Sequence, residues 1–187
     1  MIRTKKDLDI YLREDLKRNV IRFPLLQKLS YSENYRIYKY LKTLRYYEYY
    51  YNNRRWYYII PYLFFKLLHR RNIVKTNIFI FPNTLGPGVQ IMHPGFRRIG
   101  RMVKVGKNCT ILPMVLFGKK RPGEIAEITV GDNCYVSTGV TILGPVNIGN
   151  NVTIAAGAVV IHDIPDNCVV GGIPAKILKY KQNEGIK

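Results

Sequence analysis

Acidic side chains are scarce in this chain. Its 187 residues include 12 Asp and Glu against 30 Lys and Arg, a formal net charge of +18. Such an imbalance favours anionic partners, among them nucleotide phosphates, acidic lipid or an acidic polymer. The excess is concentrated early, in runs such as KRNVIR, RRWYY and HRRNIVK, all before residue 76. Cysteine is scarce as well. Cys109, Cys134 and Cys168 form an odd set with no CxxC spacing, which argues against a disulfide scaffold and for a reducing compartment. No apolar run is long enough to span a bilayer, and the longest, Trp56 to Leu68, holds a proline and a lysine. The start, MIRTKKDLDIYLRED, is charged and lacks the apolar region of a secretory leader. These features point to a cytoplasmic protein, with contact at the inner membrane face left open. Nucleic-acid binding has only the charge in its favour and no recognisable motif, so no nucleic-acid partner is expected.

With 47% hydrophobic residues the chain has the material for a core. Val130, Val136, Ile142, Ile148, Ile154 and Val160 recur at intervals of six, and Ile99, Val105, Ile111 and Phe117 form a second set. Four residues after most of these comes another apolar one, as at Val103, Cys109, Val115, Cys134, Val140, Val146, Val152 and Ala158. The following position is often small, as at Gly100, Gly106, Gly131, Ser137, Gly149 and Ala155. A period of six fits neither a helix nor an alternating strand. It fits a coil with three flat faces, in which side chains one coil apart stack and fill a triangular core. This is the hexapeptide parallel β-helix pattern. Cys109 and Cys134 fall in the small inward slot and read as buried apolar side chains.

The chain divides into two parts. Residues 1–72 read as an α-helical N-terminal region. Thr4 and Ser32 are candidate helix caps, and a third helical segment runs from about Trp56 to Arg71, with Pro61 as a candidate kink. Tyrosine is frequent there and mixed with Arg and Lys, which fits either an anionic membrane surface or packing between helices in an oligomer. Residues 73–187 read as the β-helix, with Asn and Gly at the corners. The repeat breaks once. Thirteen positions separate Phe117 from Val130, so residues 118–129 form an extruded loop. After Val160 the sequence reads as a last partial coil with a cap and tail.

The hexads, the extruded loop and the terminal GGIPAKIL resemble the hexapeptide-repeat acyltransferases, and among them the serine O-acetyltransferase branch. FPNTLGPGVQIMHPG also resembles the capsular-polysaccharide O-acetyltransferases. The resemblance covers about residues 78–179. It implies a mainly β fold, a left-handed parallel β-helix, and a homotrimer with active sites between neighbouring coils. It also implies acetyl-CoA as co-substrate. Metal-dependent relatives place several histidines around the coil; this chain has one within the repeats and one beside them, so no metal is expected.

Acetyl transfer from a thioester to a hydroxyl needs a base, donors for the oxyanion, and a groove for coenzyme A. Histidine suits the first task because it titrates near neutrality. His69 lies in a basic helical stretch and reads as a surface residue. His162 follows the last regular core position and reads as a coenzyme or structural contact. His93 lies two hexads before Val105, the spacing of the catalytic histidine in the resemblance, so the general-base role transfers to it. Two departures bear on the acceptor. Met92 stands where serine acetyltransferases carry an aspartate, and Glu127 where they carry a second histidine that helps fix the amino acid's carboxylate. A carboxylate facing a carboxylate repels it, so these substitutions suit a saccharide hydroxyl on a surface polysaccharide or its precursor. Glu127 would then orient His93 or bind a sugar hydroxyl. The alternatives are serine O-acetylation in cysteine biosynthesis and a non-enzymatic β-helix binding protein. For coenzyme A the resemblance marks corner positions Gly118, Thr138 and Ala156, and Lys176 near the nucleotide end. Lys119, with Lys120 and Arg121, adds positive charge in the loop.

Overall fold

The computed structural model describes residues 1–19, 24–30, 32–124 and 126–181. The chain begins with helices α1 (Lys5–Arg18), α2 (Pro24–Leu29) and α3 (Glu33–Asn52). A single 3-10 turn at Trp56–Tyr58 leads into α4 (Ile59–Thr76). Thr4 caps α1 in a reciprocal box with Asp7, and the Ser32 hydroxyl accepts from Tyr35 N at the start of α3. Both caps satisfy amides that the first helical turn leaves without partners. Helix α4 reaches Thr76, four residues beyond 72, and ends where Asn77 turns left-handed at φ 55°. Pro61 does not interrupt the helix. It lies in the first turn of α4, where its missing amide hydrogen would have no partner in the helix.

Strands then follow in quick succession: β1 (Ile78–Ile80), β2 (Gln90–Ile91), β3 (Arg97–Ile99), β4 (Val103–Val105), β5 (Thr110–Ile111), β6 (Val115–Lys119) and β7 (Ile128–Val130). After them come β8 (Tyr135–Val136), β9 (Thr141–Gly144), β10 (Val146–Ile148), β11 (Thr153–Ile154), β12 (Val159–Val160), β13 (Cys168–Gly171) and β14 (Lys176–Tyr180). They form three sheets, ordered β1-β3-β6-β9-β12, β10-β7-β4 and β14-β13-β11-β8-β5-β2. All pairings are parallel except β13 with β14. From β1 to β13, consecutive strands thus lie on different faces, as a three-sided coil requires, and β14 alone folds back beside its predecessor.

The register accounts for the hexads. Ile111, Val136, Ile154 and Val170 stand in line on one face. Phe117, Ile142 and Val160 align on the second face, and Val105, Val130 and Ile148 on the third. Residues six apart therefore sit on successive faces, and residues one coil apart stack. Each such side chain is buried, and each contributes roughly 1.5–3 kcal/mol by leaving water. The small position beside the aliphatic one is required by coil spacing, since a Cβ on Gly131 would lie 2.7 Å from the carbonyl carbon of Gly149. One corner of the prism is turned by Asn108, Asn133, Asn151 and Asn167, with φ of 57°, 57°, 54° and 56°. Asparagine adopts that left-handed region at lower cost than other non-glycine residues.

The helices close the N-terminal end of the prism. Ile37, Tyr40, Leu41 and Leu44 of α3 share one core with Ile78, Ile80 and the inward residues of the coils. A fully buried Arg45 fastens this layer. Its guanidinium donates to Asp15 (2.8 Å), to Glu48 (2.9 Å), and to the Leu85 and Gly86 carbonyls (3.0 and 2.7 Å). Asp15 in turn accepts from Gly88 N at 2.9 Å. His69, read from sequence as a surface residue, is buried. It packs on Tyr40 and Tyr47, and its Nε2 lies 3.2 Å from the Ile80 carbonyl. The reason is α4 packing on α3, which turns the His69 side of the helix inward. At the other end the chain folds back as β14, and the tail beyond residue 181 lies outside the described residues.

Candidate active site

His93 sits at the corner that follows β2. Its backbone is left-handed, at φ 59°, in a column of such corner residues that continues with Met114, Gly139 and Gly157. A histidine in that conformation carries a local cost of about 1–2 kcal/mol, which the surroundings must offset. Arg97 provides the hold. Its side chain is buried, and it donates to the Leu112 carbonyl (2.9 Å), the Gly95 carbonyl (3.2 Å) and the Met92 carbonyl. The three bonds fix the 92–95 loop from inside. Burial pushes the Arg97 guanidinium down to about 10, with nearby Glu33 opposing the shift, so Arg97 remains a cation at neutral pH.

The imidazole projects outward and is 64% exposed in its side chain, with Nδ1 2.9 Å from Glu33 Oε1. Glu33 is the first residue of α3, directly after the Ser32 cap. An ionised carboxylate accepts only, so Nδ1 carries the hydrogen and Nε2 keeps its lone pair for an incoming proton. A histidine held in this way can serve as a general base, with the carboxylate orienting its ring.

Thr138 and Ala156 continue down the same corner. Gly139 N donates to the Pro113 carbonyl, Thr138 Oγ1 donates to that same oxygen, and Gly157 N donates to the Thr138 carbonyl. Coils rise by about 4.8 Å, so Thr138 lies roughly two coils and Ala156 three coils along the prism from His93. Gly118 and Lys119 are elsewhere. Both lie in β6 rather than in a loop, paired with Leu143 and Gly144 at the far end of that face, and Lys119 Nζ donates to the Glu124 carbonyl at 2.7 Å. Lys176 is exposed at the start of β14, and His162 is exposed beyond β12.

Met92 contributes its carbonyl to Arg97. Glu127 is exposed and lies immediately before β7, at the corner on the other side of the β6 face from His93. One chain therefore does not bring Glu127 to His93, and the orienting place is held by Glu33. Sequence reasoning missed both Glu33 and Arg97. Arg97 did carry a signal, since it falls six before Val103 and twelve before Cys109 in the inward register, where a charged residue must be held by buried partners. Glu33 carried none, being 60 residues from His93. Cys109 and Cys134 are buried, each thiol against a backbone carbonyl of the next coil at 3.1 Å. Neither is open to act as a nucleophile. Among the described residues no group of His, Cys, Asp and Glu forms a metal cluster.

Comparison with known proteins bears on the family and the fold. Residues 127–162 match the family model "Bacterial transferase hexapeptide (six repeats)". A 116-residue stretch is 36% identical to the serine acetyltransferase of Synechococcus elongatus, covering 60% of this chain and 47% of that protein. The serine acetyltransferase of Bacillus subtilis is 32% identical over 120 residues, 63% of this chain and 55% of that one. The chain thus spans about half the length of the curated relatives it matches. Among solved structures, the soybean serine acetyltransferase apoenzyme superposes with a TM-score of 0.73 at 25% identity, covering 92% of this chain and 69% of that one. The Neisseria gonorrhoeae enzyme gives 0.68 at 24%, covering 98% and 72%. The chain is similar to the hexapeptide-repeat acetyltransferases, serine acetyltransferase-like in sequence and, in fold, a left-handed β-helix preceded by helices.

Proposed function

We propose that the protein is an acetyl-CoA-dependent O-acetyltransferase that uses His93 as general base and the serine hydroxyl as acceptor. The observation that carries the chemistry is the His93 Nδ1 to Glu33 contact of 2.9 Å, at the head of a corner whose next coils present Thr138 and Ala156. In this reading Nε2 of His93 takes the hydroxyl proton as the oxygen attacks the thioester carbon. His93 then returns the proton to the departing coenzyme A thiolate. Glu33 holds the ring and offsets the positive charge that forms on it. The small side chains along the corner leave room for the pantetheine arm to approach the backbone. Lys176 meets phosphate as a point charge, and the overall +18 favours a polyanionic co-substrate.

Serine is preferred because the relatives matched above are serine acetyltransferases, one of the solved neighbours being described as a complex with CoA and another, from soybean, as a complex with serine. This moves the acceptor away from the saccharide that the sequence alone suggested. The saccharide reading keeps one specific support, the Met92 and Glu127 departures. The protein would work as a homotrimer in the cytoplasm. Support for the trimer comes from position. His93 and the described residues between β6 and β7, 120–124 and 126–127, lie at different corners of one prism, and a neighbouring copy can bring its own such residues to His93.

The test is release of coenzyme A from acetyl-CoA with serine, free sugars and nucleotide sugars as acceptors. Turnover with serine and none with sugars supports the reading. Turnover confined to a sugar replaces the acceptor while keeping the chemistry, and no thiol release with any acceptor removes both.

A further inference from the structure

The outward side of α4 carries an apolar stripe on which no described residue packs. Trp56, Ile60 and Val74 are 83%, 81% and 83% exposed, and Ile59, Leu63, Phe64 and Leu67 lie between them on the same side. The spacing 56, 59/60, 63/64, 67, 74 is that of one helical face. Arg54 and Arg55 stand at its N-terminal end, and Arg70, Arg71 and Lys75 at its C-terminal end, none paired with a carboxylate among the described residues. From residue 49 to residue 123 the sequence has no Asp or Glu at all. A cleft of about 550 Å³ opens beside the stripe, lined by Tyr47, Tyr51, Tyr62, Arg54, Lys66 and Arg70.

We propose that this face of α4 is a peripheral anchor for an anionic phospholipid membrane. Charge selects the occupant. A second copy docking by this face would set arginine-rich ends against arginine-rich ends with no carboxylate to offset them, whereas an acidic bilayer supplies the missing charge. The residue types agree with the site. The stripe enters the acyl boundary, the tyrosines and Trp56 sit at headgroup depth, and the cations at both ends and in the cleft meet phosphates. No helix among the described residues is long and apolar enough to cross a membrane, so α4 lies in the interface plane. This inference is independent of the catalytic reading.

The test is co-sedimentation of the full chain with vesicles of phosphatidylcholine alone or of phosphatidylcholine mixed with phosphatidylglycerol. The chain has one tryptophan, so Trp56 fluorescence reports insertion directly. Binding to acidic vesicles with a blue shift of Trp56, reversed by salt and absent with neutral vesicles, is expected. Two surface variants separate the contributions, the triple Ile60→Ser, Phe64→Ser, Leu67→Ser and the double Arg70→Gln, Arg71→Gln. Each should lower partition by about tenfold or more while keeping coenzyme A release from soluble acceptors and the thermal unfolding midpoint. Equal partition of wild type and triple variant, or no Trp56 shift, overturns the proposal. So does a triple variant that sediments as a smaller assembly than wild type without vesicles, because the face then belongs to a second copy.

Discussion

Replacing Glu33 by glutamine exchanges one carboxylate oxygen for an NH2 group and keeps the shape of the side chain. The side chain is 40% exposed, so its loss leaves no buried void. The His93 Nδ1 to Glu33 contact is a charge-assisted bond of 2.9 Å. Such bonds are worth about 1.5–3 kcal/mol. Solvent screens this one, since the imidazole is 64% exposed, and about 1–2 kcal/mol remains. At 1.36 kcal/mol per decade, kcat should fall roughly 5- to 30-fold. KM for acetyl-CoA should stay within twofold, because the corner below His93 is untouched. Glu33→Asp should recover part of the loss. The same substitution has a spectroscopic signature. Nitrogen-15 shifts of His93 should report the Nδ1–H tautomer in the wild type and a mixture in Glu33→Gln, since an amide can either accept from Nδ1 or donate to it. A kcat within twofold of wild type together with an unchanged tautomer would mean that Glu33 does not orient the base.

Two further predictions concern stability. Arg45→Met leaves Asp15 and Glu48 buried without their cation, at a cost of about 3–5 kcal/mol at pH 7. Adding Glu48→Gln should restore part of it in urea unfolding, and a single-variant cost below about 1 kcal/mol would contradict the fastening role given to Arg45. Burial pushes the His69 imidazole down from 6.5 to about 4. The unfolded chain takes up this proton before the folded one does, so the contribution is complete above pH 6.5 and is lost as pH falls to about 4. At 1.36 kcal/mol per pH unit it amounts to about 3 kcal/mol. Unfolding free energies measured across that window should slope upward with pH, and His69→Gln should flatten the slope; identical slopes in both proteins would refute the assignment.

The prism was legible because each coil repeats the same packing demand. Val130, Val136 and Ile142 must each face inward on successive faces, and Asn133 and Asn151 must each turn a corner, so the constraint prints itself every six residues. His93 was singled out only through the resemblance; hexad counting alone would put residue 93 in the inward column, whereas Ile91 takes that place beside Ile111 and His93 stands at an exposed corner. The helices gave their capped starts at Thr4 and Ser32, because a cap is a local bond. What stayed hidden is non-local. Glu33 reaches His93 only because Ile37, Tyr40, Leu41 and Leu44 seat α3 on the open end of the coil. No spacing in the sequence encodes that distance. His69 was misread for the same reason. Its neighbours in sequence are arginines, while its neighbours in space are Tyr40 and Tyr47. Arg97 was the missed opportunity, an arginine in the inward register that only backbone carbonyls could hold.

The central claim is that one exposed imidazole takes the proton from the acceptor hydroxyl. The most direct measurement is the turnover of His93→Ala with acetyl-CoA and serine at saturating concentrations, beside titration of coenzyme A binding to the same variant. Loss of a general base predicts a fall in kcat of about 10²–10⁴ with coenzyme A affinity retained. Full turnover by the alanine variant would contradict the account.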